Sequence, residues 1–155
     1  MLNQKTDTIY VANWDSNTIS VINARSNKII GTIAVQGSPY DISLNSYTNM
    51  MYVQGPNSIS VINATSNKVI DTIPMNQVSN MIVDSIGNMV YVIHRDESQG
   101  YEELLSMIDG STNSPVPTNL VTCDISSIVG SKYFWLKCTG PPSENAVLNY
   151  SLETP

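Results

Sequence analysis

Charge is scarce in this chain. Asp, Glu, Lys and Arg make up 13% of its 155 residues, with seven basic side chains against thirteen acidic ones and a formal charge of −6. A nucleic-acid partner would call for a clustered Lys/Arg face, so that class is excluded. No 18-residue apolar run occurs, so no helix of the membrane-spanning kind is expected. The opening Met1-Leu2-Asn3-Gln4-Lys5-Thr6-Asp7 lacks the basic start and apolar core of a secretion signal. The chain is then expected to be either cytosolic or a piece of a longer secreted one. Histidine occurs once and cysteine twice. There is no Gly-rich phosphate loop after a strand, no Gly-x-Ser-x-Gly elbow, no pair of Cys-x-x-Cys motifs and no Asp-x-Asp-x-Asp-Gly calcium loop. These absences leave no catalytic residue, metal or cofactor to name.

What is present is a repeat. Ile9-Tyr10-Val11 is followed by Ser16-Asn17-Thr18-Ile19-Ser20-Val21-Ile22-Asn23-Ala24 and then by Ser26-Asn27-Lys28-Ile29-Ile30-Gly31-Thr32-Ile33. Met51-Tyr52-Val53 is followed by Asn57-Ser58-Ile59-Ser60-Val61-Ile62-Asn63-Ala64 and Ser66-Asn67-Lys68-Val69-Ile70-Asp71-Thr72-Ile73. Tyr10 and Tyr52 stand 42 residues apart, Tyr52 and Tyr91 39 apart. A period near 40 built from short alternating runs is the signature of a β-propeller with one four-stranded sheet per repeat.

The second unit predicts strands over Tyr40-Asp41-Ile42-Ser43-Leu44, Met50-Met51-Tyr52-Val53, Ser58-Ile59-Ser60-Val61-Ile62 and Lys68-Val69-Ile70-Asp71-Thr72-Ile73. Ile59 and Val61 share one face of the third strand and Ile62 lies on the other, so both faces are partly apolar, as a sheet covered on both sides requires. Met89-Val90-Tyr91-Val92 and Leu104-Leu105-Ser106-Met107-Ile108-Asp109 continue the register. An offset of 83 carries Asp41-Ile42-Ser43 onto Asp124-Ile125-Ser126 and Tyr52 onto Trp135. The expectation is an all-β chain forming one partial propeller domain over residues 1–155. Its antiparallel four-stranded blades fall near 7–35, 38–74, 79–121 and 123–155, in a strand count of 3 + 4 + 4 + 3. About three and a half blades make an open arc, which implies a tightly closed ring, a homo-oligomer or the missing blades of a longer chain.

The runs Ile9-Tyr10-Val11-Ala12-Asn13, Asn17-Thr18-Ile19-Ser20-Val21-Ile22-Asn23 and Asn27-Lys28-Ile29-Ile30-Gly31-Thr32-Ile33 resemble the YVTN family of propeller repeats. The resemblance is close over residues 7–93 and weak from Ile108 onward. It implies the fold of archaeal surface-layer and related bacterial extracellular proteins, commonly seven-bladed. It also implies an exported or cell-surface location and a binding or structural role. That family has no universal catalytic residues to carry over.

Loops joining second to third strands share a face with the inter-blade connections, and binding sites usually form there. The loops are Asn13-Trp14-Asp15, Gly55-Pro56-Asn57, the insertion His94-Arg95-Asp96-Glu97-Ser98-Gln99-Gly100-Tyr101-Glu102-Glu103 and Thr139-Gly140-Pro141-Pro142. The insertion collects the only His, one of two Arg and four carboxylates, and inserted loops on a rigid scaffold tend to carry function. His94 could serve as a general base, or His94, Asp96 and Glu97 as partial metal ligands. A solvated charged hairpin tip is the simpler reading, because no second imidazole or thiol stands at ligand spacing. Trp14 is either an exposed recognition aromatic or rim packing. Candidate binding residues are therefore Asn13, Trp14, Asp15, His94, Arg95, Asp96, Glu97 and Tyr101. Tyr10, Tyr52, Tyr91 and Trp135 recur at one repeat position and read as blade-to-blade packing.

If Gly130-Ser131 forms a two-residue hairpin turn, Val129 faces Lys132 and counting outward sets Cys123 opposite Cys138. Opposed Cβ atoms in an antiparallel pair lie about 4.5–5.5 Å apart, just beyond disulfide range, so a cross-strand bond needs local adjustment. That bond would imply an oxidising compartment; the alternative is two buried thiols. Asn63-Ala64-Thr65 and Asn149-Tyr150-Ser151 are glycosylation sequons. The sequence thus points to a non-catalytic extracellular or cell-surface module with a protein or glycan partner. One competitor is a lyase or quinone-dependent dehydrogenase-like propeller enzyme with His94 in a top-face site. The other is an intracellular, cytoplasmic interaction scaffold.

Overall fold

The computed structural model describes the backbone of residues 1–95, 103–116, 122–128, 133–139 and 147–151, and the side chains of residues 1–95 and 104–116. The chain is all-β. Four antiparallel sheets follow one another along it, each with its strands in sequence order. The first holds β1 (Leu2–Asn3), β2 (Thr8–Asn13), β3 (Thr18–Asn23) and β4 (Lys28–Ala34). The second holds β5 (Asp41–Asn45), β6 (Met50–Gln54), β7 (Ser58–Asn63) and β8 (Lys68–Pro74). The third holds β9 (Val78–Asp84), β10 (Met89–Arg95), β11 (Glu103–Asp109) and β12 (Ser114–Pro115). The fourth holds β13 (Thr122–Ile128), β14 (Tyr133–Thr139) and β15 (Val147–Ser151). Among the described residues the one helical element is a 3₁₀ turn at Trp14–Ser16. No helix there is long and apolar enough to cross a membrane.

The first sheet has one strand more than the sequence led us to expect. Leu2–Asn3 pairs with Thr8–Ile9, and two residues are too few for alternation to be legible. Asn3 is nevertheless the repeat counterpart of Asn45, 42 positions on. The side-chain oxygen of each accepts a backbone N–H from the turn that follows: Lys5 at 3.0 Å for Asn3, and Tyr47 and Thr48 at 3.0 and 3.1 Å for Asn45. Asp84 repeats the device with Ile86 and Gly87, both at 3.0 Å.

Turns are built almost without glycine. The hairpins between first and second strands close on Asp7, Asn49 and Asn88, and those between third and fourth strands on Asn27, Asn67 and Asn113. All six have φ between 49° and 58°. Left-handed backbone costs most residues about 1–2 kcal/mol, but Asn and Asp offset part of this through local hydrogen bonds. The Ser-Asn-Lys turns owe their recurrence to that geometry. Outermost strands β4 and β8 each carry a bulge, after Val21 and after Val61 on the partner strand, which leaves Ile30 and Ile70 unpaired. Bulges there and Lys28 and Lys68 at the strand starts protect edges that still expose Ile29, Ile30, Val69 and Ile70.

Packing follows from the two apolar faces. Tyr10, Ile19, Val21 and Ile33 of the first sheet meet Met51, Val53, Ile62 and Ala64 of the second. The opposite face of that second sheet, Tyr52, Ile59, Val61 and Ile73, meets Met81, Val90, Val92 and Ile108 of the third. Each such aliphatic side chain, fully buried, stabilises the stack by about 1.5–3 kcal/mol relative to exposure. Tyr10 and Tyr52 are 1% and 0% exposed, so the recurring aromatic position packs blade against blade.

A buried polar ladder accompanies it. The Asn3 amide donates to Asn49 Oδ1 at 2.7 Å and the Asn45 amide to Asn88 Oδ1 at 2.9 Å, each crossing from one sheet to the next. In the fourth sheet Cys123 stands opposite Cys138, as counting from the hairpin required. The register nearer the turn differs from that count, because a bulge between Ile125 and Ser127 shifts it by one residue and sets Ile128 opposite Phe134. The two cysteine side chains lie outside the described residues.

Candidate functional site

Loops on one face of the stack enclose a groove of about 570 Å³ lined by Trp14, Tyr40, Pro56, Asn57, Gln77, Val78, Ser79 and Arg95. Three sheets contribute. Trp14 comes from the 3₁₀ turn after β2, Pro56 and Asn57 from the turn after β6, and Arg95 from the end of β10. Tyr40 and Gln77 come from the inter-blade connections.

Trp14 and Tyr40 are 52% and 40% exposed. Their ring centroids lie 5.6 Å apart with planes tilted by 44°. Tyr40 is held from behind: its hydroxyl donates to the Val78 carbonyl, and the Gln54 amide donates to the Tyr40 hydroxyl at 2.9 Å and to the Val78 carbonyl at 3.2 Å. Gln54 itself is buried, so a polar group inside the core fixes an aromatic ring at the rim. The backbone of the groove wall is also unusual. Gln77 has φ 46°, a conformation that Asn and Gly adopt more readily than Gln. Ser79 is bulged out of the β9–β10 ladder, between the pairs Ile93–Asn80 and His94–Val78, and its hydroxyl donates to the Ile93 carbonyl at 3.2 Å. Bulges of this kind re-aim side chains beside sites.

Among the sequence candidates, Trp14 and Arg95 come together in this groove. Asn13 ties its own hairpin, where its amide donates to Thr18 Oγ1 at 3.1 Å and to Ser20 Oγ at 2.9 Å. Asp15 is exposed and does not line the groove. His94 and Arg95 are corrected from loop to strand, since β10 runs to Arg95 and pairs His94 with Leu104 and Arg95 with Glu103. The extension was not legible because His94 and Arg95 open a polar, charged run that carries no apolar alternation. His94 Nε2 lies 2.8 Å from Ser106 Oγ. It lines a separate hollow of about 250 Å³ with Pro74, Met75, Asn76 and Arg95. Asp96, Glu97 and Tyr101 lie outside the described residues, as does the side chain of Asn149. Asn63 Oδ1 accepts the Thr65 and Ser66 N–H groups at 2.9 and 3.1 Å, so that sequon asparagine is a turn-former. No cluster of three or more His, Cys, Asp or Glu side chains suited to a metal occurs among the described residues.

Sequence reasoning missed Tyr40, Gln54 and Gln77. Alternation places Tyr40 inside a strand, but β5 begins one residue later and leaves its ring to the groove. Gln54 reads as the first residue of the turn Gln54-Gly55-Pro56-Asn57, but β6 runs through it.

Serial four-stranded antiparallel sheets, packed face to face with a groove among the loops at one end, define a β-propeller. Solved structures agree on the fold. The chain superposes on Kuenenia stuttgartiensis hydrazine synthase with a TM-score of 0.67 at 18% identity, covering 96% of this chain and 48% of that one. It superposes on the dihydro-heme d1 dehydrogenase NirN, solved in complex with DHE, with a TM-score of 0.64 at 10% identity, covering 97% and 36%. The chain thus spans about half the length of the first and about a third of the second. No protein-family model and no curated protein matches it.

Proposed function

We propose that this chain is a non-catalytic binding module of the YVTN propeller type, acting outside the cell or at its surface. It takes a protein or glycan ligand in the groove between Trp14 and Arg95. The observation that carries this reading is the pinned aromatic pair. Two half-exposed rings from different blades, one held by the buried Gln54, form a rigid apolar platform flanked by Asn57, Gln77 and Arg95. Rigid aromatic area loses little side-chain entropy on binding, and neighbouring amides and a guanidinium supply orientation.

An enzyme reading draws on the names of the structural neighbours and on His94 beside Ser106. Against it, His94 sits in the smaller hollow rather than at the aromatic platform, and general acid–base work needs partners within hydrogen-bond reach of a bound substrate. The test is a glycan array probed with the intact chain, Trp14→Ala and His94→Ala. Binding lost in the first variant and kept in the second supports the groove. Binding unchanged by Trp14→Ala refutes it. A lyase turnover abolished in His94→Ala would establish the enzyme instead. The location is tested by alkylating Cys123 and Cys138 in protein from its native source. Thiols blocked until reduction support an oxidising compartment, and free labelling favours the intracellular scaffold.

A further inference from the structure

Each of the first three blades turns twice at the end remote from the groove, once between its first and second strands and once between its third and fourth. Exposed apolar side chains gather at that end. Ile86 and Tyr47 are 85% and 72% exposed, and Ile29 and Ile30 follow at 68% and 59%. Among the described residues no large apolar side chain is more exposed than these four. Tyr47 and Ile86 occupy one repeat position, the second residue of the turn between first and second strands, and Lys5 holds it in the first blade. The Ser46 N–H donates to Ser85 Oγ at 3.1 Å, so the tips of the second and third blades are neighbours. Strands β4 and β8, which carry Ile29, Ile30, Val69 and Ile70 near their starts, approach within 8 Å of each other. Single exposed apolar residues need no explanation, whereas a cluster with a charged rim marks an interaction surface.

The rim is basic. Lys5, Lys28 and Lys68 stand at the same end, exposed and in no ion pair among the described residues. With Arg25 they make four of the chain's seven basic side chains. The carboxylates in these turns are already engaged. Asp7 pairs with Arg25, and Asp84 accepts the Ile86 and Gly87 N–H groups, both at 3.0 Å. Asp109 accepts the Ser111 N–H at 2.7 Å and its hydroxyl at 2.6 Å. Exposed Asp71 lies farther along β8, about 10 Å beyond Lys68.

We propose that this end docks on an anionic lipid bilayer. Tyr47 and Ile86 enter the interface, and Lys5, Lys28 and Lys68 meet the headgroup phosphates. A folded protein partner would need pockets shaped to the projecting tips, whereas a fluid acyl boundary admits them without any. A phenol suits the headgroup level, and lysine stems lie along apolar surface while their ammonium groups stay in water. The chain's charge of −6 opposes approach from afar. Exposed charges more than about 8 Å apart are largely screened at physiological salt, so the local lysines govern contact. Docked in this way, the molecule turns its groove away from the membrane. The proposal goes beyond the groove's own ligand and is tested separately from it.

The test is flotation of the intact chain with phosphatidylcholine vesicles, with and without about one-third phosphatidylglycerol. The chain is expected to float with the anionic vesicles. Tyr47→Ser combined with Ile86→Ser should weaken that binding about 10- to 100-fold, and Lys28→Gln combined with Lys68→Gln about 10- to 30-fold. All four side chains are exposed, so both variants keep the parent melting temperature. As a second measurement, Ile86→Trp should be quenched by lipids brominated on their acyl chains. Failure to float with anionic vesicles, binding indifferent to the Tyr47 and Ile86 changes, binding lost instead in Trp14→Ala, or an unquenched Ile86→Trp would each overturn the proposal.

Discussion

Replacing Tyr10 by Phe and, separately, Tyr52 by Phe removes the same oxygen from two equivalent places, and the structure assigns them different consequences. The Tyr10 hydroxyl donates to Asn67 Oδ1 at 2.7 Å, with the Ala64 carbonyl 3.1 Å away, and so stitches the first blade to the second. The Tyr52 hydroxyl is buried against the corresponding turn of the third blade, yet it has no hydrogen-bond partner. Asn113 Oδ1, the counterpart of Asn67, has none either. A typical hydrogen bond contributes about 0.5–1.5 kcal/mol net, and a buried acceptor left unpaired adds to the loss, so Tyr10→Phe is expected to cost about 1–2 kcal/mol. Tyr52→Phe removes a polar atom that gains nothing in the folded state, and its expected effect lies between zero and about 1 kcal/mol of stabilisation. At about 2–4 °C per kcal/mol for a chain of this size, Tm falls by about 2–8 °C in the first variant and holds or rises in the second. Scanning calorimetry on the two variants under one condition reads the difference. Equal losses in both would refute the reasoning, because they would mean that the Tyr52 hydroxyl finds the same support as that of Tyr10.

The same junction yields two more expectations. A Cβ on Gly110 would lie 2.8 Å from the Asn88 carbonyl oxygen and 2.9 Å from the Tyr52 hydroxyl, whereas the equivalent turns carry Ala24 and Ala64. Gly110→Ala should therefore cost about 1–3 kcal/mol in denaturant unfolding, and a loss under about 0.5 would show that the third blade has room to shift. Burial pushes the Tyr10 and Tyr52 phenols above their ordinary 10.0, and at Tyr52 the Asp109 carboxylate adds to it. The folded state then keeps protons that the unfolded chain releases, so stability is full below pH about 10 and falls as pH rises further. Tm measured from pH 8 upward by about three units should decline at its alkaline end, and less steeply in Tyr52→Phe; an identical decline would contradict the assignment.

Much of the architecture is a local matter and was legible as such. Tyr10, Tyr52 and Tyr91 mark one repeat position. Asn27, Asn67 and Asn113 sit where the chain must turn left-handed, and Ile59, Val61 and Ile62 divide a strand between two apolar faces. These patterns act over two to four residues, within reach of period and turn chemistry. Cys123 stands opposite Cys138 as counted, but the pairs nearer the turn run one residue out of that count, and only an unforeseen bulge at Ser126 brings the register back to it. Bulges are decided by how a strand must twist against its neighbour, and alternation carries no mark of them.

The groove belongs to the other category. Trp14 and Arg95 were marked by their loops, but what they share a wall with was not. Tyr40 reads as one more residue of a strand until β5 starts after it. Gln54 reads as a turn residue until it is seen holding that tyrosine. Gln77 carries its unusual backbone with no residue type to announce it. By itself the sequence determined the blade, its turns and its two buried faces, because these follow from side-chain period and backbone sterics within one repeat. Only the tertiary structure decided which side chains meet between blades. Stacking brings residues 14, 40, 77 and 95 to one place, and separations of that length leave no local pattern to read.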